Sequence, residues 1–300
     1  MQQLGRSCAN YLLTKSSEDE SLWVIDGDLA DSNGAEVFAI NNNRFIQAGI
    51  AEQNMISMAA GLATTGKRPW VFSFSAFLCY RAYDQIRVCV SQTHLPVVLV
   101  GSHAVACTGR NGKTHASLND ICLMSTLPHM EIWTPADAED VKFSVDAILE
   151  KKSPSYIRCP RDPVPVIFGK STDIRWIKKG SSVAIISYGL STHWAIKIQE
   201  ELLKNNIEVS ILHFCKLWPI NKKDLEGQLQ DIKIAFVLED HYPIGGLFSL
   251  LLHFEFSCKL VSFAWPINWH SQSGLTEDLL NFYELDTFSI TRKIMKTLEK

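Results

Sequence analysis

The chain has 300 residues, of which 46% are apolar and 20% are charged, and its net charge is −3 at pH 7. These values predict an ordinary globular protein of two domains or one large one, and the absence of a basic, aromatic-rich cluster argues against nucleic-acid binding. The sequence has no apolar run of about 18 residues, no signal-peptide pattern and no C-x-x-C pair, so we expect a cytoplasmic protein without a membrane span or a zinc site.

The first half of the chain alternates predicted helices and strands. In chain order these are a helix over Gln3–Lys15, a buried strand over Leu22–Ile25, a helix from Glu52, strands over Trp70–Phe74 and Val97–Val100, a helix over Ala136–Leu149 and a strand over Tyr156–Arg158. A long helix is also predicted over Phe77–His94, because Leu78, Ala82, Ile86 and Val90 recur along one face.

Three prolines in the six residues from Pro160 to Pro165 separate this half from a second unit of the same style. The second unit has predicted strands over Val183–Ser187, Ile207–Phe214, Ile234–Leu238 and Leu260–Phe263, and predicted helices over Thr192–Lys204, after Gly245-Gly246 and over Phe288–Leu298. The sequence therefore predicts an α/β protein of two domains, residues 1–168 and residues 169–300. Each domain is expected to have a mainly parallel sheet flanked by helices.

Glu52 is the first candidate functional residue, because it stands at the start of an almost wholly apolar helix. A carboxylate at such a junction is costly to bury unless something pairs with it. One suitable partner is a ligand nitrogen that is protonated during catalysis, as in the aminopyrimidine ring of thiamine diphosphate. The ordinary alternative is an acid favoured by the dipole of the helix N-terminus, and Glu52 alone leaves both explanations open.

Six short motifs, taken together, resemble one enzyme family. They are Gly27-Asp28-Leu29-Ala30-Asp31-Ser32-Asn33, Gly49-Ile50-Ala51-Glu52-Gln53, Ser75-Ala76-Phe77-Leu78-Cys79-Tyr80-Arg81-Ala82-Tyr83, Asn111-Gly112-Lys113-Thr114-His115, Tyr156-Ile157-Arg158-Cys159-Pro160-Arg161, and Glu239-Asp240-His241 with Gly245-Gly246. Their order and spacing resemble the C-terminal two-thirds of transketolases, and almost as closely the matching part of deoxyxylulose-phosphate synthases. The resemblance implies a pyrimidine-binding domain followed by a transketolase C-terminal domain.

The resemblance implies a set of residues that bind thiamine diphosphate. Glu52 matches the glutamate that bonds the pyrimidine ring nitrogen and so promotes loss of a proton from the thiazolium carbon. Phe77, Tyr80 and Tyr83 match aromatic residues that hold the aminopyrimidine, and the predicted helix puts Phe77 and Tyr80 on one face with Tyr83 close to it. Asp28 matches a residue that approaches the thiazolium. From the residues alone, the aromatics are equally explained as core residues and Asp28 as a turn residue.

The resemblance also implies residues that act on the sugar. His115 matches an active-site histidine that assists proton transfers on the bound sugar intermediate, as imidazole can near neutral pH. His103 matches a second histidine that contacts the substrate. Asn111 stands where transketolases usually have an aspartate that contacts a substrate hydroxyl. The amide keeps an acceptor oxygen and loses the charge, so the identity of the acceptor sugar stays open.

A further implied set would hold the phosphate of a sugar phosphate. Arg6, Ser32 and Arg161 match the transketolase residues with this role, and two guanidinium groups with a hydroxyl suit a dianion. Together with His103, they favour a phosphorylated ketose or aldose over a simple 2-oxo acid as the substrate.

One part of the transketolase pattern is missing. No segment has the Gly-Asp-Gly and downstream asparagine that hold the cofactor's diphosphate through a divalent metal in full-length transketolases. We therefore expect no metal ligands in this chain, and a partner subunit that supplies the diphosphate- and Mg²⁺-binding domain. An α2β2 assembly is expected, because the family's active sites lie between subunits.

Three functions stay open. The first is a catalytic subunit of a split transketolase that transfers a two-carbon ketol unit between sugar phosphates. The second is the β-subunit of a 2-oxo acid dehydrogenase or of a decarboxylating synthase, which leaves the sugar-phosphate residues unexplained. The third is a non-catalytic scaffold, which has no need for Glu52 or His115.

Overall fold

The computed structural model describes residues 1–104, 106, 108–109, 111–267 and 273–299. The elements of the first half are α1 (Leu4–Ser16), β1 (Leu22–Asp26), α2 (Ala30–Asn33), α3 (Glu36–Asn41), β2 (Phe45–Gln47), α4 (Glu52–Thr64), β3 (Arg68–Phe74), α5 (Tyr83–Gln85), β4 (Val98–Ser102), α6 (Asp120–Ser125), β5 (Glu131–Trp133), α7 (Ala138–Lys151) and β6 (Ser155–Arg158). Those of the second half are β7 (Ile174–Lys178), β8 (Val183–Tyr188), α8 (Gly189–Lys204), β9 (Ser210–Phe214), β10 (Lys216–Trp218), α9 (Lys222–Leu229), β11 (Ile234–Leu238), α10 (Leu247–Leu251), β12 (Lys259–Phe263), α11 (Thr276–Phe282) and α12 (Thr287–Leu298).

These strands form two sheets. The first has seven strands in the order β10-β5-β6-β4-β3-β1-β2, and the second has five in the order β12-β11-β8-β9-β7. Neighbours are parallel except for β10 with β5 and β7 with β9. The predicted fold class, two mainly parallel sheets flanked by helices, is confirmed. Among the described residues, none of the helices has both the length and the apolar composition needed to span a membrane.

The first sheet is buried on both faces, as its apolar strands predict. Val71 and Leu99 pack into one core cluster with Met55 of α4. Their neighbours Phe72 and Val100 face the opposite cluster, which includes residues of α1. Since β1, β3 and β4 run parallel, their carboxyl ends meet at one edge of the sheet, and the loops that follow them carry most of the candidate site residues.

The single long helix predicted over Phe77–His94 is wrong. The segment forms a π-helix over Phe77–Arg81, the short turn α5, and a second π-helix over Ile86–Ser91. The buried residues Leu78, Ala82, Ile86 and Val90 are all four positions apart. Because π turns are wider than α turns, a mixture of both keeps such a run on one face, where a pure α-helix would let it drift.

The second unit also reaches into the first. Strand β10 pairs with β5 at the edge of the seven-stranded sheet, an arrangement that the sequence does not predict. Nearby, Asp140 of α7 accepts hydrogen bonds from Ser171 at 2.6 Å and Arg175 at 3.1 Å, and its other oxygen lies 3.0 Å from His213. Burial by itself would raise the pKa of Asp140, but the contact with His213, the hydrogen bond from Ser171 and the charge of Arg175 hold it well below its ordinary value. These contacts join the two units.

Arg158, at the end of β6, makes a second buried junction. Its Nε donates to Asp120 Oδ2 at 2.8 Å, and its Nη2 donates to the backbone carbonyl of Asp240 at 2.8 Å. Tyr156 donates to the same Asp120 oxygen at 2.7 Å. The Asp240 carboxylate lies 3.9 Å from the guanidinium, and burial raises the pKa of Asp240 to about 6. One guanidinium therefore faces two buried carboxylates and joins the two units.

Glu239 follows β11 and is also buried. Its carboxylate accepts the N–H groups of Leu247 at 2.7 Å and Phe248 at 3.3 Å, at the start of α10. Gly246 lies against Glu239 Oε2 so closely that a Cβ at this position would collide with it. Burial raises the pKa of Glu239 to about 8, although the two N–H bonds and Arg158 act in the opposite direction.

The pKa of Glu239 predicts a loss of stability at mildly alkaline pH. Between the ordinary value of 4.5 and about 8, folded Glu239 keeps a proton that the unfolded chain releases, so stability falls as pH rises through this range. Asp240 acts in the same sense only up to about pH 6, and His241, with a pKa lowered to about 4, acts in the opposite sense only below 6.5. Burial also raises the pKa values of Cys8, Cys79, Cys159 and Cys215, whose thiols ionise in the unfolded chain near their ordinary value of 9.0, so melting temperatures between about pH 6.5 and about pH 7.5 report mainly on Glu239.

We expect the melting temperature to fall between about pH 6.5 and about pH 7.5 in the wild-type chain, and to stay nearly constant over this range in Glu239→Gln. The variant Glu20→Gln, at an exposed position, is the matched control and should keep the wild-type slope. An equal slope in Glu239→Gln and the wild type would contradict the assignment.

Candidate active site

Glu52 is the first residue of α4, and its side chain is only 1% exposed. Its Oε2 accepts a hydrogen bond from Nη1 of Arg81 at 2.7 Å. Its Oε1 is buried and has no hydrogen-bond partner among the described residues. A buried carboxylate oxygen without a donor is costly, so Oε1 is a position where a ligand N–H would be stabilising.

Sequence analysis did not single out Arg81, the partner of Glu52. Its guanidinium lies over the ring of Phe77, 4.4 Å from the centroid, and its side chain is 46% exposed. Phe77 and Arg81 are four positions apart in the π-helix and so lie on the same face of it. The sequence indicates Arg81 only indirectly. A buried Glu52 requires a cation, and Arg81 lies between Tyr80 and Tyr83, two of the predicted cofactor-binding residues.

Three of the predicted aromatic and histidine residues meet around Phe74, at the end of β3. The Phe77 ring lies 5.6 Å from Phe74, and His103 lies 4.0 Å from it. The His115 ring lies 5.1 Å from Phe77, with an edge-on orientation. The structure therefore places Phe77, His103 and His115 in one cluster at the carboxyl edge of the sheet.

The two histidines differ in their surroundings. His103 is buried and has a positive φ of 55°, which holds it at the end of β4. Burial lowers the pKa of His103 to about 4, assisted by the nearby charges of Arg161 and His115, so it is neutral at pH 7. His115 is partly exposed, and its Nδ1 lies 2.8 Å from the Thr114 hydroxyl.

Tyr80 and Tyr83 are both held by the segment around α6. The Tyr80 hydroxyl donates to the side-chain oxygen of Asn119. The Tyr83 hydroxyl donates to the backbone carbonyl of Leu123 at 3.1 Å and lies 2.9 Å from the Thr126 hydroxyl. The helix is interrupted at Ala82, which separates Tyr83 from the π-helix that carries Phe77 and Tyr80. Their role at the cofactor stays a prediction.

Asp28 lies in the turn after β1. It has a positive φ of 68°, and its backbone N–H donates to Gln47 Oε1 at 3.0 Å. The same amide of Gln47 reaches the carboxylate of Asp28 at 3.4 Å. Asp28 is exposed at the same sheet edge as Phe77. Its predicted approach to a thiazolium is compatible with this position and stays a prediction.

An open cleft of about 590 Å³ is lined by three of the predicted substrate-binding residues. It is lined by Gln3, Asp31, Ser32, His103, Arg161, Asp162, Pro163 and Leu275. The guanidinium of Arg161 lies against the backbone of Gly109, where a Cβ would collide with it. Arg161 is thereby held next to the loop that continues to His115.

Arg6, the other predicted phosphate ligand, is placed differently. Its guanidinium forms an ion pair with Glu36 of α3, and it does not line the cleft. Its charge is therefore compensated locally, a contact that sequence analysis did not predict. Its role in substrate binding stays a prediction.

The second unit contributes to the walls of the same cleft. Asn111 is exposed and precedes a 3₁₀ turn over Gly112–Thr114. Gly274 forms an antiparallel bridge with Gly109, and the Thr276 hydroxyl donates to Asp162 Oδ2 at 2.7 Å. Leu275 lies between these contacts and lines the cleft. Sequence analysis did not predict that residues beyond 270 reach this site.

Two family descriptions match the chain: "Transketolase, pyrimidine binding domain" over residues 4–166, and "Transketolase, C-terminal domain" over residues 173–256. The first match alone covers more than half of the chain. The chain therefore belongs to the transketolase family.

Several curated proteins are similar to this chain. A putative transketolase C-terminal section from Methanocaldococcus jannaschii is 33% identical over 96% of this chain and 94% of its own length. A 1-deoxy-D-xylulose-5-phosphate synthase from Clostridium tetani is 29% identical over 98% of this chain, which spans only 49% of the synthase. A 6-deoxy-6-sulfo-D-fructose transketolase subunit from a Clostridium species is 30% identical over 80% of this chain and 76% of its own length.

Solved structures share the fold. An inactive β4 tetramer of a split gene transketolase superposes with a TM-score of 0.85 at 28% identity, covering 99% of this chain and 98% of that chain. A transketolase from Pichia stipitis in complex with sedoheptulose-7-phosphate also gives a TM-score of 0.85, at 15% identity and over 46% of that chain. The chain thus corresponds to nearly all of one solved protein and to about half of the other.

Proposed function

We propose that this chain is the pyrimidine-binding subunit of a split, thiamine-diphosphate-dependent transketolase. The enzyme would transfer a two-carbon ketol unit between sugars whose far end is acidic, of which sugar phosphates are the predicted example. Membership of the transketolase family supports the reaction class. A relative described as a C-terminal section and a neighbour described as a split gene transketolase support the division between two subunits.

The observation that carries this proposal is the buried, unpartnered Oε1 of Glu52. It lies on a residue whose other oxygen is fixed by Arg81, so the carboxylate cannot turn away without breaking that bond. An N–H of a flat heterocycle would satisfy Oε1, and the partly exposed ring of Phe77 would offer an apolar contact to such a group. These residues therefore fit the aminopyrimidine of thiamine diphosphate.

When bound, thiamine diphosphate supplies a nucleophilic thiazolium carbon that can accept and release a two-carbon ketol unit. Glu52 would hold a proton at the pyrimidine ring nitrogen, and Arg81 would keep the Glu52 carboxylate oriented for this task. His115, partly exposed and facing Phe77, would exchange protons with the sugar. His103 is neutral at pH 7, so it would act there through hydrogen bonds to the sugar.

The diphosphate end of the cofactor requires a partner. The sequence of this chain has no motif for the diphosphate and its divalent cation, so a second subunit would bind both through Mg²⁺. Together the two chains would form an α2β2 assembly, in which Glu52 lies on one chain and the metal on the other.

Calorimetric titration with thiamine diphosphate and Mg²⁺ tests this proposal. We expect no tight binding to the chain alone, and binding to its mixture with a partner that carries the Gly-Asp-Gly motif. Glu52→Gln in the mixture should still bind the diphosphate end. Tight binding by the chain alone would contradict the division of the site, and absence of binding in the mixture would contradict the cofactor assignment.

A further inference from the structure

The cleft that contains Ser32, His103 and Arg161 also carries negative charge. Asp31 and Asp162 line it and directly adjoin two of the predicted phosphate ligands in the sequence, Ser32 and Arg161. Arg161 is the single arginine or lysine among the described residues that line this cleft. The lining of the cleft therefore carries two carboxylates and one cationic side chain.

The other groups predicted to bind a dianion do not restore the balance. The Ser32 hydroxyl donates to Asp31 Oδ1 at 3.3 Å. Arg6 is paired with Glu36, so its charge is already compensated. Burial lowers the pKa of His103 to about 4, which leaves its ring uncharged at pH 7.

This balance matters because a phosphate monoester carries a charge of about −1.5 to −2 at pH 7. Such a group is stabilised by two or more cationic donors and is disfavoured beside carboxylates. A group with a single negative charge needs less compensation, and one guanidinium can bind two of its oxygens. The charges of the residues that line the cleft therefore favour a group with a single negative charge.

We propose that this cleft binds sugars whose far end is a monoanion, such as a sulfonate or a carboxylate, in preference to a phosphate dianion. The proposal rests on the ketol-transfer function proposed above, because that function places the far end of the sugar in this cleft. It narrows the substrate class from acidic sugars to singly charged ones. Asp31 and Asp162 are the residues that determine the preference.

Equilibrium binding separates the two kinds of anion. Unreactive polyols that differ only at carbon 6, as a phosphate, a sulfonate or a carboxylate, are titrated into the full chain and into its mixture with the partner subunit. At about pH 7.5 we expect the sulfonate or the carboxylate to bind at least about tenfold more tightly than the phosphate. The advantage should shrink at about pH 5, where phosphate becomes a monoanion, since its second pKa is about 6.

Two charge-removing variants test the assigned residues. Asp31→Asn and Asp162→Asn keep an oxygen that accepts the bonds from Ser32 and Thr276, so the local structure is retained. Each should shift the ratio of phosphate to sulfonate affinity about five- to tenfold toward phosphate. Asp231→Asn removes the same charge from an exposed turn after α9 and should leave the ratio unchanged.

Tighter binding of phosphate by the wild-type chain at about pH 7.5 would overturn the proposal. So would a ratio that Asp31→Asn and Asp162→Asn shift no more than Asp231→Asn does. Ketol transfer is measured in parallel with the three corresponding ketoses. Absence of transfer from all of them would count against the proposed reaction, whereas the affinity ratio decides the charge preference independently.

Discussion

Replacing Glu52 by Gln should reduce ketol transfer by about a hundredfold or more, with little change in folding. Proton transfer by a positioned group contributes about 10²- to 10⁴-fold to rates, and an amide at this position cannot exchange the proton. The Gln side chain has nearly the same shape as Glu. It can still accept the hydrogen bond that Arg81 donates to Oε2 of Glu52, at 2.7 Å, in the wild type. A coupled assay for the transferred two-carbon unit, with the partner present, measures the effect.

Glu200→Gln, an exposed change of the same chemistry on α8, is the matched control and should retain full activity. The circular dichroism spectrum and the melting temperature of Glu52→Gln should match those of the wild type. Turnover in Glu52→Gln close to that of Glu200→Gln would exclude a proton-holding role for Glu52.

Arg158→Met should lower the free energy of unfolding by about 3–5 kcal/mol. Arg158 is 4% exposed and faces the buried carboxylates of Asp120 and Asp240. Without the guanidinium both carboxylates would be uncompensated, and the bond to the backbone of Asp240 that joins the two units would be lost. Urea denaturation, followed by far-ultraviolet circular dichroism, measures the change.

The control is Arg87→Met, in which the same side chain is removed from an exposed pair. Arg87 bonds Asp84 at 2.6 Å, and both side chains are largely accessible to solvent. Exposed ion pairs contribute about 0–1 kcal/mol, so the loss should be small. Equal losses in Arg158→Met and Arg87→Met would show that the buried junction does not hold the units together.

The sequence predicted the central strands well because their burial on both faces leaves long apolar runs such as Val97–Val100. It did not predict the short strands β2, β5, β7 and β10, each of which depends on a neighbour supplied by the fold rather than on its own composition. The prediction of a single long helix after β3 is wrong for a different reason. A run of apolar residues four positions apart predicts an α-helix, but it fits a mixed α and π segment as well.

At the site, the sequence located the groups but not their partners. The meeting of Phe77, His103 and His115 follows from the common edge of parallel strands, which motif positions can indicate. The pairing of Glu52 with Arg81 depends on how the segment Phe77–Arg81 packs on α4, and the pairing of Arg6 with Glu36 depends on how α1 packs on α3. Neither contact is indicated by a local pattern in the sequence. The approach of Leu275 to Arg161 arises from the docking of the second unit, which no segment encodes by itself.

Strand β10 also limits which parts of this chain can be exchanged during evolution. Lys216 pairs with Trp133 and Trp218 with Ile132, so three residues of the second half complete a sheet that belongs to the first half. The Lys216 ammonium reinforces this by bonding Glu131 at 2.6 Å. A recombination event within the proline-rich segment would join a foreign β10 to a native β5, and an imperfect match would leave an open sheet edge. The pairing of β10 with β5 thus restricts the exchange of one half for that of another protein, although the two halves match two separate domain descriptions of the transketolase family.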